Sequence, residues 1–319
     1  MKLAAVVVLV LAAVACGGEE PGARSAAEGA KAGAGAGGPV GGQRSIELLF
    51  EAKKPGSKPF PFPFLEVKVG EHAARFLVDS GASVHAIDSA LVKAAQLTEP
   101  VRSSAIVIPG WASLPDHAVV VVELPSSIRA HGFSGILSPQ LLAEPGGAGR
   151  PGQAVVVDLV KMQMRLVPRS TAWSQVQDLG TLLTAPGQRL CPVDSAGVPG
   201  LLVALDGTID GEPAKLAIDT GTSRSLILEG SKGGARAATH PVLGRSIAHS
   251  SMADLPVSIH GGVPLVVGAW SQTADVGVSP GERHAQCGHE ARIGMDVLQH
   301  CAVAMTADEV VVGCRVPGR

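Results

Sequence analysis

Two short stretches of this chain set an acid, a small hydroxyl residue and a glycine in the same order. The first is Phe76-Leu77-Val78-Asp79-Ser80-Gly81-Ala82-Ser83; 140 residues later comes Leu216-Ala217-Ile218-Asp219-Thr220-Gly221-Thr222-Ser223. An apolar strand that ends on a carboxylate and then turns at glycine places an acid where a sheet opens. Two such acids, supplied by two similar halves, would meet face to face. Carboxylates at close range cannot both ionise, so the pair shares one proton.

The elements needed to position these acids also come twice. Leu65–Val69 and Ala74–Val78, joined by Gly70-Glu71-His72, read as a hairpin delivering Asp79. Leu201–Ile209 and Ala214–Ile218, joined by Asp210-Gly211-Glu212, deliver Asp219 in the same way. Without a gap, Val69 matches Ile209, Phe76 matches Leu216, Val78 matches Ile218 and Ile87 matches Ile227. A chance motif would not extend in both directions. After the first acid, Asp88 is placed to cap a helix over Ser89–Leu97. Ile106–Ile108 and Val119–Leu124 bracket Pro109-Gly110-Trp111 as a second expected hairpin. Phe133-Ser134-Gly135-Ile136-Leu137 and the pair Val155–Leu159 and Met162–Val167 follow. Arg292-Ile293-Gly294-Met295-Asp296-Val297-Leu298 stands in the second half where Gly135-Ile136-Leu137 stands in the first. The larger spacing in the second half is expected in loops at Glu229–Gly244 and Ser279–Glu290.

These residues resemble the aspartic peptidases of the retropepsin and pepsin group. Their signature is an apolar run, Asp-Thr/Ser-Gly-Ala/Ser/Thr, and later in the same lobe two apolar residues and a glycine. Asp79-Ser80-Gly81-Ala82 and Asp219-Thr220-Gly221-Thr222 both match, and Ile293-Gly294 matches the later motif better than Phe133-Ser134-Gly135 does. The resemblance spans Arg44 to Cys314. It implies an all-β fold with two retropepsin-like β-barrel lobes in one chain and a cleft between them. It further implies that Asp79 and Asp219 are the catalytic pair, with no cofactor and no metal. The ionised member takes a proton from water while the protonated member polarises the scissile carbonyl. By the same resemblance Ser80 and Thr220 tie the two loops together, Gly81 and Gly221 permit the tight turns, and the hydroxyls of Ser83 and Ser223 bond the carboxylates. A flap closes over substrate in this family and in pepsin-like members carries a Tyr. This chain has no Tyr; Trp111 beside Gly110 is a candidate aromatic lid, against the preferred reading of an ordinary partly buried Trp.

The ends and composition bound the setting. Met1-Lys2, an apolar run from Leu3 to Val14 and the small residues before Cys16 make an export signal too short to span a bilayer. Cys16 is the expected lipidation site. Gly- and Ala-rich residues 16–43 make a tether with a reach of roughly 30 Å. The expected organisation is therefore signal peptide 1–15, tether 16–43, first lobe 44–178 and second lobe 179–319. A net charge of −2 argues against a nucleic-acid partner. With aromatics at 3%, the core must rest on Val, Leu, Ile and Ala.

Lipidation of Cys16 leaves four of the five cysteines, which allow three disulfide connectivities. One is favoured: a turn at Thr306–Glu309 pairs Met305 with Val310 and so Cys301 with Cys314, leaving Cys191 for Cys287. His284, Cys287 and His289 are spaced as zinc ligands, but no fourth ligand is evident and Cys287 is taken by the disulfide. His85 reads as a solvated loop histidine. The expectation is a monomeric, exported, lipid-anchored endopeptidase of the bacterial cell envelope acting on peptide or protein substrates. The rival is a peptide-binding or assembly lipoprotein with the same fold and no catalysis.

Overall fold

The computed structural model describes residues 44–49, 62–111, 114–143, 152–177, 181–186, 204–249, 254–280, 289–306 and 309–315. The signal peptide, the tether, Cys16 and the Cys191–Cys287 pairing lie outside those residues. What is described is mostly β, with a few short helices. None of those helices is long and apolar enough to cross a membrane.

The first half contains β1 (Arg44–Glu47), β2 (Phe64–Val69), β3 (His72–Val78), β4 (His85–Asp88), β5 (Ile106–Val107), β6 (Val119–Val122), β7 (Phe133–Leu137), β8 (Gln153–Asp158) and β9 (Gln163–Pro168). The second contains β10 (Thr181–Pro186), β11 (Ala204–Ile209), β12 (Glu212–Ile218), β13 (Leu226–Leu228), β14 (Val242–His249), β15 (Asp254–Val267), β16 (Trp270–Ser279), β17 (Ala291–Ile293), β18 (Cys301–Met305) and β19 (Glu309–Cys314). Strand β2 shows why these segments fold as they do. Leu65, Val67 and Val69 point inward while Glu66 and Lys68 stay exposed, the two-residue period of a half-buried strand.

The two halves share a central strand order, and the sheet of the second closes on itself through β11 and β15 while that of the first stays open. In the first the order is β5-β2-β3-β7-β4-β6; the second runs β11-β12-β17-β13-β16-β15-β14. Strand β7 lies parallel to β3 and antiparallel to β4, as β17 does to β12 and β13. Strand β6 runs parallel to β4, as β16 does to β13. A third sheet, β1-β9-β8-β18-β19-β10, joins the halves, with β8 of one antiparallel to β18 of the other. One buried apolar cluster runs from Leu48 and Phe62 to Val312 and Cys314.

Several local expectations are met. Asp88 caps the helix, accepting from the Ala90 amide at 2.8 Å, although the helix stops at Ala94. Met305 pairs with Val310 and Cys301 with Cys314, whose sulfurs are bonded at 2.08 Å. Thr306 closes the turn, its amide donating to the Glu309 carbonyl at 2.9 Å and its hydroxyl accepting from the Glu309 amide at 3.0 Å.

Three expectations are corrected. Strands β5 and β6 do not form a hairpin, because β2 claims β5 and β4 claims β6. The segment before β6 instead bonds residues 101–103, through Val119 N–H to the Val101 carbonyl and Ser103 N–H to the His117 carbonyl. Second, Gly135 is not the counterpart of Gly294. Gly135 pairs with Phe76, whose equivalent Leu216 pairs with Ala291; Ser138 therefore matches Gly294. Gly135 is required for packing, since a Cβ there would fall 2.4 Å from the Phe76 ring. Third, the extra length of the second half lies in strands. From Ile87 to Val121, partners in register, is 121 − 87 = 34 residues, against 278 − 227 = 51 for Ile227 to Val278. From there to the strand end, Val121 to Leu137 is 16 and Val278 to Ile293 is 15. The excess therefore builds β14, β15 and β16.

Candidate active site

Strands β3 and β12 carry their acids out of the core, leaving Asp79 and Asp219 each 2% exposed. The crossing strands hold both in place: the Asp79 amide donates to the Leu137 carbonyl at 2.9 Å and the Asp219 amide to the Ile293 carbonyl at 3.0 Å. Each chain then turns on itself. Gly81 N–H donates to Asp79 Oδ1 at 2.7 Å, and Gly221 N–H to Asp219 Oδ1 at 2.9 Å.

The hydroxyl residues lock the turns together. Ser80 Oγ donates to the Ile218 carbonyl at 2.9 Å and accepts from Thr220 N–H at 3.0 Å. Thr220 Oγ1 donates to the Val78 carbonyl at 2.6 Å and accepts from Ser80 N–H at 2.9 Å. Ser80 and Thr220 are buried, so losing either hydroxyl strands polar backbone groups away from water. This exchange presses each carboxylate against the other loop's glycine. A Cβ built on Gly81 would fall 2.6 Å from Asp219 Cγ, and one on Gly221 would fall 2.3 Å from Asp79 Cγ. Neither glycine can carry a side chain while both carboxylates keep their places. The acids thus flank the same pair of glycines, each carboxyl lying against the other loop's turn.

Behind each loop lies an equivalent brace. In the first half Ser138 N–H donates to His85 Nδ1 at 3.1 Å; in the second Gly294 N–H donates to Ser225 Oγ at the same distance. Ser138 Oγ reaches the Ala82 carbonyl at 2.7 Å, while Met295 N–H reaches the Thr222 carbonyl at 2.8 Å. Gln140 donates through Nε2 to the Ser80 carbonyl, and its counterpart Asp296 accepts from Ser225 N–H at 2.8 Å and Ser225 Oγ at 2.9 Å.

His85 is fully buried in β4 rather than a solvated loop residue. Burial, then the nearby His117, pushes its pKa down to about 3, so it stays neutral and offers Nδ1 as an acceptor. Burial raises the pKa of Asp296, against the lowering effect of its bonds to Ser225.

One side of the site carries additional polar groups. Thr222 Oγ1 donates to Asp219 Oδ2 at 2.8 Å, the role the resemblance assigns to Ser223. Ser83 and Ser223 are half-buried at the ends of the loops, and among the described residues neither hydroxyl bonds a carboxylate. Arg292 Nη1 reaches the same Asp219 oxygen at 3.0 Å from β17. Trp111 is half-buried, packed on the core beside Gly110, which turns with φ +78°. His289, of the zinc-spaced trio, is buried, while His284 and Cys287 lie outside the described residues.

Sequence reasoning missed Arg292, Gln140 and His85. The signal for Arg292 was a cation between Ala291 and Ile293 in a run otherwise read as apolar. A scan against protein-family models and a search of the curated proteins return no match for this chain.

Proposed function

We propose that this protein is an aspartic endopeptidase, with two retropepsin-like lobes and a substrate cleft where the two acid loops meet. The observation that carries the reading is the reciprocal exchange of four hydrogen bonds between Ser80 and Thr220, which sets each carboxylate on the opposite glycine. A merely structural turn needs neither acid buried nor both glycines bare.

In the reaction the ionised carboxylate accepts a proton from a water, whose oxygen bonds to the scissile carbonyl carbon. The protonated carboxyl donates its proton to the carbonyl oxygen, giving a neutral tetrahedral diol. Collapse of that diol breaks the C–N bond, with one carboxyl protonating the leaving amine and the other recovering the hydroxyl proton. The substrate peptide lies extended, paired through its backbone. Both acids come from one chain, which supports a monomer. The apolar amino terminus, Cys16 and the tether support export with a lipid anchor at the cell envelope.

The rival reading, a peptide-binding or assembly lipoprotein without catalysis, draws on the Arg292–Asp219 ion pair, which partly neutralises one acid. Cleavage of a peptide library separates the two. The peptidase reading expects pepstatin-sensitive cleavage, abolished separately by Asp79→Asn and Asp219→Asn. Folded wild-type protein that cleaves nothing between about pH 3 and pH 8, a range that brackets an upper pair pKa of about 4.7, sinks it.

A further inference from the structure

Arg292 stands in the second half where Ile136 stands in the first: Leu77 pairs with Ile136, and its equivalent Ala217 pairs with Arg292. Ile136 is buried, whereas the Arg292 side chain is 41% exposed even though its Nη1 lies 3.0 Å from the buried Asp219 Oδ2. The side chain therefore spans from an acid of the site out to solvent. One contact leaves most of the guanidinium unused. The group carries five N–H donors in a planar fork, and among the described residues the bond from Nη1 to Asp219 is the only one its side chain makes. With Nη1 turned inward, Nε and Nη2 form a free edge of two parallel N–H groups, the geometry that grips a carboxylate bidentately. Neither strand neighbour competes for it, since Arg292 pairs with Ala217 on β12 and Leu226 on β13. Other charged groups near this loop are turned elsewhere: Arg224 donates to the Asp275 carbonyl at 2.9 Å, and Asp296 is engaged by Ser225.

From this we infer that Arg292 determines specificity: its free edge selects peptides with an acidic side chain on one side of the cleaved bond. The part played in cleavage rests on the peptidase reading. Under that reading Asp219 stands beside the reacting carbonyl, so a side chain flanking that bond passes within reach of a guanidinium bonded to the same carboxylate. A glutamate or aspartate there meets two N–H groups and a full positive charge. A glutamine of the same shape meets the donors with a weaker acceptor and no charge. At the corresponding place in the first half Ile136 has neither donor nor charge, so the selection is one-sided. If Arg292 serves only to hold Asp219, the two peptides are treated alike, which makes the ratio between them the decisive quantity.

The test uses the full chain and pairs of peptides identical except for Glu or Gln at a position flanking the cleaved bond. At one such position kcat/KM should favour Glu about tenfold or more, the low end of what a hydrogen bond to a charged group is worth. The preference should vanish below about pH 4, where the peptide carboxylate takes up a proton, and shrink with added salt. Arg292→Gln should bring the ratio toward one, Arg292→Lys should keep part of it, and Arg292→Glu should turn the preference toward a Lys-containing peptide. A wild type that treats Glu and Gln alike overturns the proposal, and so does a ratio unchanged in Arg292→Gln. If the variants do not fold, the wild-type ratio and its loss in acid decide alone. Fluorescence anisotropy with uncleavable reduced-amide forms of the same two peptides, bound to the Asp79→Asn chain, needs no turnover. Tighter binding of the Glu form, lost in Asp79→Asn with Arg292→Gln, in a protein whose wild type cleaves nothing refutes the peptidase reading and leaves the selection by Arg292 standing. Cleavage without an acidic preference does the reverse, and equal binding of the two forms, or none, overturns the proposal.

Discussion

The loops around Asp79 and Asp219 share the backbone bonds that hold the acids and differ in most of the side chains that support them. Both acids accept from their own glycine amide, both are tied down by the crossing strand, and the interlock between Ser80 and Thr220 is reciprocal. Around this frame His85 replaces Ser225, Gln140 replaces Asp296, Ala82 replaces Thr222 and Ile136 replaces Arg292. The shared features are those that hold the acids together. The divergent ones bear on protons and charge, so the halves are alike in geometry and unlike in titration.

The comparison breaks most severely where a shared element is removed. Gly81→Ala and Gly221→Ala should act alike, since each new methyl would land on the opposite carboxylate at 2.6 Å and 2.3 Å from its Cγ. Turnover should fall about a hundredfold or more, the cost of displacing a reacting group by about an ångström. Steady-state kinetics on the folded variants checks this, and a glycine that tolerates alanine would show that the acids need no close approach.

Next come the interlocking hydroxyls. Ser80→Ala and Thr220→Ala each strand a buried amide and a buried carbonyl, costing about 2–4 kcal/mol, while Thr220→Ser should cost well under half as much. Urea midpoints measure both, and unequal losses from the two alanine variants would break the symmetry.

His85 and Asp296 sharpen the contrast through pH, with opposite signs. His85 titrates at about 3 in the folded chain against an ordinary 6.5, so the unfolded chain binds the extra proton. Its contribution is fully present above pH 6.5 and is lost as pH falls toward about 3, by at most about 1.4 kcal/mol per pH unit. His85→Asn, which keeps an acceptor near Nδ1, should flatten that slope. Asp296 has its folded value raised by burial, so its contribution is present below the ordinary carboxylate value and lost as pH rises through the folded one. Asp296→Asn should therefore gain stability relative to wild type on going from acid to neutral pH. Denaturation midpoints across that range decide both.

The smallest effect is expected at Trp111. As a half-buried residue against the core it should leave KM and kcat within about twofold when changed to Ala, with a modest loss of stability. A large rise in KM would instead make it a lid.

Much of this was legible in the chain itself because the information is local. The repeated Asp-hydroxyl-Gly motif, the two hairpins leading into it, the Asp88 cap and the Cys301–Cys314 register all depend on residues within a few positions of one another. The errors arose where a residue's partner lies far away in sequence. Gly135 looked like the later glycine motif until pairing with Phe76 put Ser138 in that place. Strands β5 and β6 looked like a hairpin until β2 and β4 claimed them. His85 looked like a surface residue because nothing near it in sequence shows that β7 and Ser138 close over it.

By itself, then, the sequence determined that there are two acids on two equivalent turns, since periodicity and turn chemistry are written residue by residue. Tertiary structure alone decided which distant side chains reach Asp219. The guanidinium among them comes from a residue 73 positions away, carried to it by a parallel strand whose register no local pattern encodes.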